Sequence, residues 1–445
     1  MPWEFEEEIA RFATSVSGRL ESGEAVTLLE IERGFRDAAL RGGNILFTKF
    51  LSGIKEAAPV CTECAAQGPM EDLGARSKNI VSLLGEGTIT RKYYGCGCGN
   101  HVLPKDGLLG IEGTSYTPGV RRVVSQLAAC DSFERSSATL EEVCGIYVSG
   151  KDTERIAEAV GAAIEEEDAE RIAGALSPAG AGPPAGIHVP IMYAEYYGTG
   201  VPVMKRETSG RKGKQEDGTA KTREAKLGCI FTQTGLNEKL EPVRDKSSTT
   251  YFGAIETSGE FGRRLYMEAA RRGVANAVVV VVLGDGAKWI WNLAEEHFPN
   301  AVQIVDLFHA KEHMCDFIKS IFPDAETRAA KEIEWAEMLE AGDIAELTAE
   351  MARYAGSSEE EREGLDREVN YFKENAKRMQ YKHFKSQGYF VGSGVIEAGC
   401  KNVIGKRLKQ SGMHWSVRGA NAIIALRCKI LSGAFILPRA SVKTA

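Results

Sequence analysis

Apolar and polar positions across residues 4–52 repeat at helical spacing. Phe5, Ile9 and Phe12 mark one face, and Val26, Leu29 and Phe35 another more loosely. At Ala58-Pro59 the pattern breaks into a glycine-rich stretch running to about Asp106, with short β-like runs at 80–84 and 88–94. Helical periodicity returns near Tyr116. Val120, Val123, Val124 and Leu127 outline one helix and residues 138–145 a second. Ser149 suits the N-cap of a third, with more helix to about Leu176. Residues 177–186 hold small residues and prolines with no core former, which predicts a linker and the main domain boundary.

Beyond it the period becomes that of strands. Residues 189–195, 227–232 and 249–255 read as strands, with a polar, basic loop over 205–226 between the first two. A helix fits 258–273. Val278 to Leu283 is an unbroken apolar run, predicting a strand buried on both faces, closed by Gly284-Asp285-Gly286. A helix to His297 and a strand at 302–305 complete a parallel crossover unit. Residues 310–387 are charge-rich and helical. A last helix starts near Gly394 and runs, with one break at Gly412, to Leu431. The chain therefore divides into an N-terminal helical region (1–57), a cysteine module (58–108), a three-helix region (109–176), a linker (177–187), an α/β core in two parts (188–309 and 388–432) around a helical insertion (310–387), and a tail (433–445).

Composition narrows the function classes. The 445 residues are 43% apolar and 26% charged, ordinary for a globular protein, and no run is long and apolar enough to predict a membrane span. The first eight residues are acidic where a secretory signal is basic and then apolar, so the expected location is the cytoplasm. A net charge of −7 argues against a uniformly basic surface, but only local potential matters for nucleic acid. Ten cysteines without such a signal are expected to be thiols or metal ligands rather than disulfides. Cys61-x-x-Cys64 and Cys96-x-Cys98 are two close pairs joined by a β-rich loop, which fits a tetrahedral structural Zn²⁺ site with His101 in reserve.

Asp285 and Asp306 follow adjacent strands at the carboxyl edge of the expected sheet, where ligands gather. Carboxylates so close repel unless a cation lies between them. Mg²⁺ or Mn²⁺ suits oxygen ligands and phosphodiester chemistry. Glu397, just after Gly392-Ser393-Gly394, is the candidate third ligand. Taken singly, each acid also reads as a turn or cap residue.

Several ordered stretches carry a resemblance: 198–203 (GTGVPV), 283–292 (LGDGAKWIWN), 305–313 (VDLFHAKEH), 392–397 (GSGVIE) and 405–416 (GKRLKQSGMHWS). Residues 188–432 resemble bacterial insertion-sequence transposases of the ISKra type, related in layout to Mutator-like transposases. The resemblance implies an RNase H-like core and Mg²⁺-dependent cutting and joining of double-stranded DNA at terminal inverted repeats. It also implies a nucleoid-associated dimer or higher assembly that holds two DNA ends. It places the second acid on Asp285, the last on Glu397, and an Asp-x-x-His signature on Asp306 and His309. Its first acid falls on Tyr197. A phenol with a pKa near 10 does not replace a bridging carboxylate. Glu195 faces the same way but stands about 7 Å back along the strand, so it is not the expected substitute. A transposase impaired at this position, or a transposase-derived DNA-binding protein, follows.

The helices across 116–161 resemble a helix-turn-helix, with Ser149, Lys151, Thr153 and Arg155 offered to DNA. The 205–226 loop adds a basic cluster that includes Arg211, Lys212 and Lys214, and the end of the core adds Lys401, Lys406, Arg407, Lys409, Arg418 and Arg427, with Trp415 beside them. Two other enzyme classes fit poorly. His309 and His313 are spaced for zinc, but no glutamate follows the first histidine as the metalloprotease motif requires. Gly392-Ser393-Gly394 lacks the third glycine and the βαβ unit of a dinucleotide site.

Overall fold

The computed structural model describes residues 2–64, 68–175, 189–213, 218–356 and 358–438. The expected linker, Lys214 of the basic loop and residues 439–445 of the tail lie outside the described residues. The chain forms two compact units, residues 1–164 joined by 436 onward, and residues 165–435.

In the first unit, α1 (Pro2–Glu21) packs against α2 (Leu28–Gly53). A Cβ on Gly34 would stand 1.8 Å from the Phe12 ring, so this glycine is the seat that lets the helices approach. Thr27 and Glu30 form a capping box at the start of α2. The hairpin β1 (Glu71–Ser82) and β2 (Gly85–Gly95) follows, with β3 (His101–Val102) paired to β2. β1 extends well ahead of its apolar run because residues 71–77 are exposed and needed no apolar side chains. Leu51, Ile80, Ile89 and Ile111 form the core here. Four helices complete the unit: α3 (Pro104–Leu109), α4 (Pro118–Cys130), α5 (Phe133–Cys144) and α6 (Gly150–Ala175). Ser149 Oγ accepts from the Asp152 amide at 3.1 Å, the expected cap, and the division between units falls inside α6, ahead of the expected linker.

The second unit is a mixed α/β fold. Its strands are β4 (Val189–Pro202), β5 (Thr222–Gln233), the short pair β6 (Gly235–Leu236) and β7 (Pro242–Val243), then β8 (Thr250–Ala254), β9 (Ala277–Gly284) and β10 (Val302–Val305). Five of them make one sheet in the order β10-β9-β4-β5-β8. β4, β5 and β8 pair antiparallel, whereas β4, β9 and β10 run parallel. Two helices provide the crossovers, α7 (Ser258–Arg271) and α8 (Lys288–His297). β9 is not buried throughout as expected. Its carboxyl half is buried, but Val278 is 70% exposed and its near neighbours are only partly buried.

The helical insertion comprises α9 (Leu307–Ile321), α10 (Ala325–Ala341), α11 (Ile344–Met351), α12 (Glu359–Asn375) and α13 (Tyr381–Ser386). The chain returns to the sheet through α14 (Gly394–Gly399), a π-helical turn at Cys400–Gly405 and α15 (Lys406–Leu408). It ends with α16 (Val417–Leu431), which packs on β8. Tyr193 anchors this return: its ring stacks on Phe231 at 4.7 Å and its hydroxyl oxygen accepts from the Phe390 amide at 3.2 Å.

Candidate active site and metal centre

The parallel register ends on Glu195 paired with Leu283, so Tyr197 and Asp285 stand level where β9 leaves the sheet, while β4 runs on to Pro202. The Asp306 amide donates to the Gly284 carbonyl at 2.8 Å, which brings the end of β10 alongside. Asp285 and Asp306 therefore lie side by side at one end of the sheet.

Their environments differ. Asp285 is half-buried. Its Oδ1 accepts from the Ala287 amide at 2.9 Å, and its backbone carbonyl accepts from the Tyr371 hydroxyl of α12 at 2.9 Å. Gly286 is left-handed (φ 99°), and the Tyr371 ring fills the space a Cβ would need. Asp306 is 1% exposed and caps α9: Oδ1 accepts from the His309 amide at 2.6 Å, and Oδ2 accepts from the Ser393 amide. Each of its oxygens thus accepts a backbone amide, so Asp306 caps α9 and holds the 392–394 turn against the end of β10. Ser393 Oγ in turn donates to Glu397 Oε1 at 3.0 Å, and Glu397 is exposed.

Glu195 had only a minor part in the sequence reading. Its side chain is fully buried, with Oε2 accepting from the Ile396 amide at 2.9 Å and facing the Cys229 thiol at 3.8 Å, while Oε1 has no hydrogen-bond partner. Burial, then the charges of Asp306 and Glu397, push its carboxyl up to about 8, against the opposing Ile396 amide and Cys229 thiol. A raised carboxyl pKa means the native state holds the proton more tightly than the unfolded chain. That stability is complete below the unfolded value of 4.5 and is lost as pH rises through about 8. The melting temperature should therefore fall between about pH 5 and about pH 8.5, and Glu195→Gln should flatten that slope. An unchanged slope in the variant would assign the effect elsewhere.

Tyr197 is half-buried. Burial and the charge of Asp285 raise its phenol above the usual range, with smaller contributions from Cys400, Glu312 and Glu397, so the ring keeps its proton beside the acids. Asp285, Asp306 and Glu397 are not drawn into a tight three-ligand cluster. Among the described residues, the group of three or more potential ligands whose donor atoms all lie within 4.8 Å of one another is the four-cysteine set. Asp285 and Glu397 remain the open acids, and a neutral phenol stands at the third position.

The histidines have other work. His309 Nδ1 lies 3.3 Å from Glu312, and His313 Nδ1 lies 2.6 Å from Glu368 while its ring stacks on Tyr371 at 3.9 Å. The two rings meet edge-on at 5.0 Å, each with its own acid, which argues against a zinc hydrolase.

Cys61, Cys64, Cys96 and Cys98 converge as expected. Their sulfurs approach to 3.7 Å (Cys61–Cys98) and 3.6 Å (Cys64–Cys96). A tetrahedron with Zn–S bonds of about 2.3 Å has S···S edges of about 3.8 Å, so the set can hold a structural zinc. The Glu63 amide and the Asn100 side chain bring the Cys61 thiol down to about 6, favouring the ligating thiolate. His101 stacks on Tyr93 at 5.2 Å and is not part of the set.

The expected DNA-contact residues divide by burial. Arg407 is 0% exposed, with its guanidinium 5.0 Å from the Trp415 ring centre. Trp415 is 7% exposed and donates through Nε1 to the Leu408 carbonyl at 3.1 Å. Arg427 is buried and donates to the Val403 carbonyl at 2.6 Å and to that of Asn402. These three hold the core together instead of facing DNA. Thr153 is 1% exposed and is likewise withdrawn, whereas Lys151 and Arg155 are exposed. Arg211, Lys212, Lys401, Lys406, Lys409 and Arg418 are exposed. Two of the resembling motifs meet here. The Trp415 amide donates to the Pro202 carbonyl at 3.2 Å and the Met204 amide to the Trp415 carbonyl at 2.9 Å, stitching the 409–416 loop to the end of β4. Lys409 Nζ donates to Thr199 Oγ1 at 2.6 Å.

No protein-family model matches this chain, and no curated protein matches it by sequence. Among solved structures it is similar to the Drosophila P element transposase strand transfer complex, at 8% identity over 73% of this chain and 83% of that one, with a TM-score of 0.24. An overlay at that score carries no argument, so the functional reading rests on the geometry above.

Proposed function

We propose that the chain is a DNA-binding protein of transposase ancestry whose metal-dependent cleavage centre is interrupted at Tyr197. The supporting fold is a sheet of three antiparallel strands continued by two parallel ones, the layout of an RNase H-like core. The observation that carries the reading is the level placement of Tyr197 and Asp285, with Glu397 close by. A carboxylate at 197 would complete a three-acid set around Mg²⁺. The phenol cannot, Asp306 is committed as a cap, and Glu195 is sealed below. The ISKra-type resemblance then assigns terminal inverted repeats as the bound DNA, the four cysteines as a structural zinc module, and a dimer or larger assembly as the state that holds two ends.

The test compares the natural chain with Tyr197→Asp in an assay of Mg²⁺-dependent DNA cleavage and strand transfer. The natural chain should bind DNA yet cut at background. The variant should gain cutting of ~10²-fold or more, since a metal at this position activates the attacking oxygen and stabilises the leaving one. That gain should vanish when Asp285→Ala or Glu397→Ala is added. Robust cutting by the natural chain would refute the interrupted site.

A further inference from the structure

Tyr197, Thr199 and Lys409 share one corner at the end of β4. Tyr197 and Thr199 are two residues apart on the strand, so their side chains leave the same face. Lys409 reaches Thr199 from the 409–416 loop, and among the described residues no carboxylate pairs with its ammonium. The loop cannot swing away freely, because Trp415 is hydrogen-bonded to Pro202 and Met204 and rests on the buried Arg407. Cys400 marks how near the acids are: its thiol feels the charges of Lys409, Glu397 and Asp285 together. Lys406 and Arg418, on the same return segment, are also exposed.

We propose that this corner is a phosphate subsite that takes a DNA backbone phosphate without a divalent cation, with Lys409 supplying the charge and Thr199 and Tyr197 the hydrogen bonds. The proposal rests on the DNA-binding reading above and deepens it. An ammonium has three donors, and Thr199 uses one, leaving two for phosphate oxygens. The Tyr197 hydroxyl, on the strand face that carries Thr199, is an ordinary phenol donor that can bond the same phosphate. A carboxylate at 197 would instead bring three negative groups to a negative ligand, an arrangement that demands a bridging cation. Replacing that carboxylate therefore changes what the site requires: binding loses its dependence on magnesium.

The test measures binding of a labelled, mixed-sequence duplex of about 30 base pairs by fluorescence anisotropy, in buffer stripped of Mg²⁺ but containing a trace of Zn²⁺ and no chelator, and in the same buffer with Mg²⁺, across a salt series. The natural chain should bind within about twofold equally in both buffers. Lys409→Met should weaken binding by ~5–10-fold and lower the salt slope by about 1, as the loss of one phosphate contact predicts, and Lys409→Arg should recover most of it. Tyr197→Asp should bind ~10-fold more weakly without Mg²⁺ and regain its affinity with it. Equal melting temperatures for the variants would separate lost contact from lost fold. Binding by the natural chain that requires Mg²⁺, or a folded Lys409→Met that binds as well as the natural chain, would overturn the proposal. No binding by the natural chain in either buffer would overturn the DNA-binding reading itself.

Discussion

Removing zinc from the Cys61, Cys64, Cys96 and Cys98 cluster is expected to unfold the cysteine end of the module, around Val60, Met70, Tyr94 and Val102, and Cys64→Ser should do the same without a chelator. The far end of the hairpin has its own core with Leu51 and Ile111, but little apolar packing holds the cysteine end. Its own apolar cluster is small: Cys61, Met70 and Tyr94, with Cys64, Cys96 and Val102 packed on it. A structural zinc contributes an apparent ~10–16 kcal/mol, comparable to the whole stability of a typical domain. Purified protein should carry about one zinc per chain. Chelation should loosen the cysteine end of the hairpin, lower the melting temperature and open the thiols to a labelling reagent. A metal-free chain with unchanged spectra and protected thiols would show that packing alone assembles the cysteines.

The second large effect concerns Asp306. Removing its carboxylate in Asp306→Ala strips both the His309 amide and the Ser393 amide of their acceptor, in a setting 1% exposed. Each orphaned buried donor costs about 1–3 kcal/mol, so a loss of ~3 kcal/mol or more is expected in thermal or urea unfolding. Asp285→Ala loses only the bond to the Ala287 amide in a half-buried turn and should cost ~1 kcal/mol. Equal, small losses in the two variants would mean that Asp306 is held as loosely as Asp285, which would reopen it as a metal ligand.

That contrast shows what the sequence could and could not say. Strand ends followed by Asp285 and Asp306 were legible because a buried strand leaves an apolar run and a turn leaves glycine. Which acid is buried against backbone amides and which is left in a half-buried turn was not legible. The distinction depends on the Ser393 amide, 87 residues from Asp306 along the chain, arriving on its second oxygen. Glu195 hid for a related reason: an acid inside a strand reads as one solvent-facing position, yet here it accepts from an amide 201 residues later. The cysteine pairs were the easiest part, since metal ligands come in short local spacings. Arg407, Arg427 and Trp415 misled in the opposite direction. Arg407, after a lysine in a basic run, looks like solvated surface, but its guanidinium lies over the Trp415 ring inside, and Arg427 is held inside by two carbonyl acceptors. Charge counting cannot see such partners.

Tyr371 ties two distant parts of the second unit into one mechanical body. Its hydroxyl grips the Asp285 carbonyl, its ring occupies the hollow left by Gly286, and His313 lies flat against its other face. α12 is thus a splint on the acidic turn. A chain trimmed of its helical insertion would keep every strand of the sheet and still lose the posture of Asp285. The insertion thereby sets the turn at this end of the sheet, and any segment put in its place must carry a tyrosine to that spot.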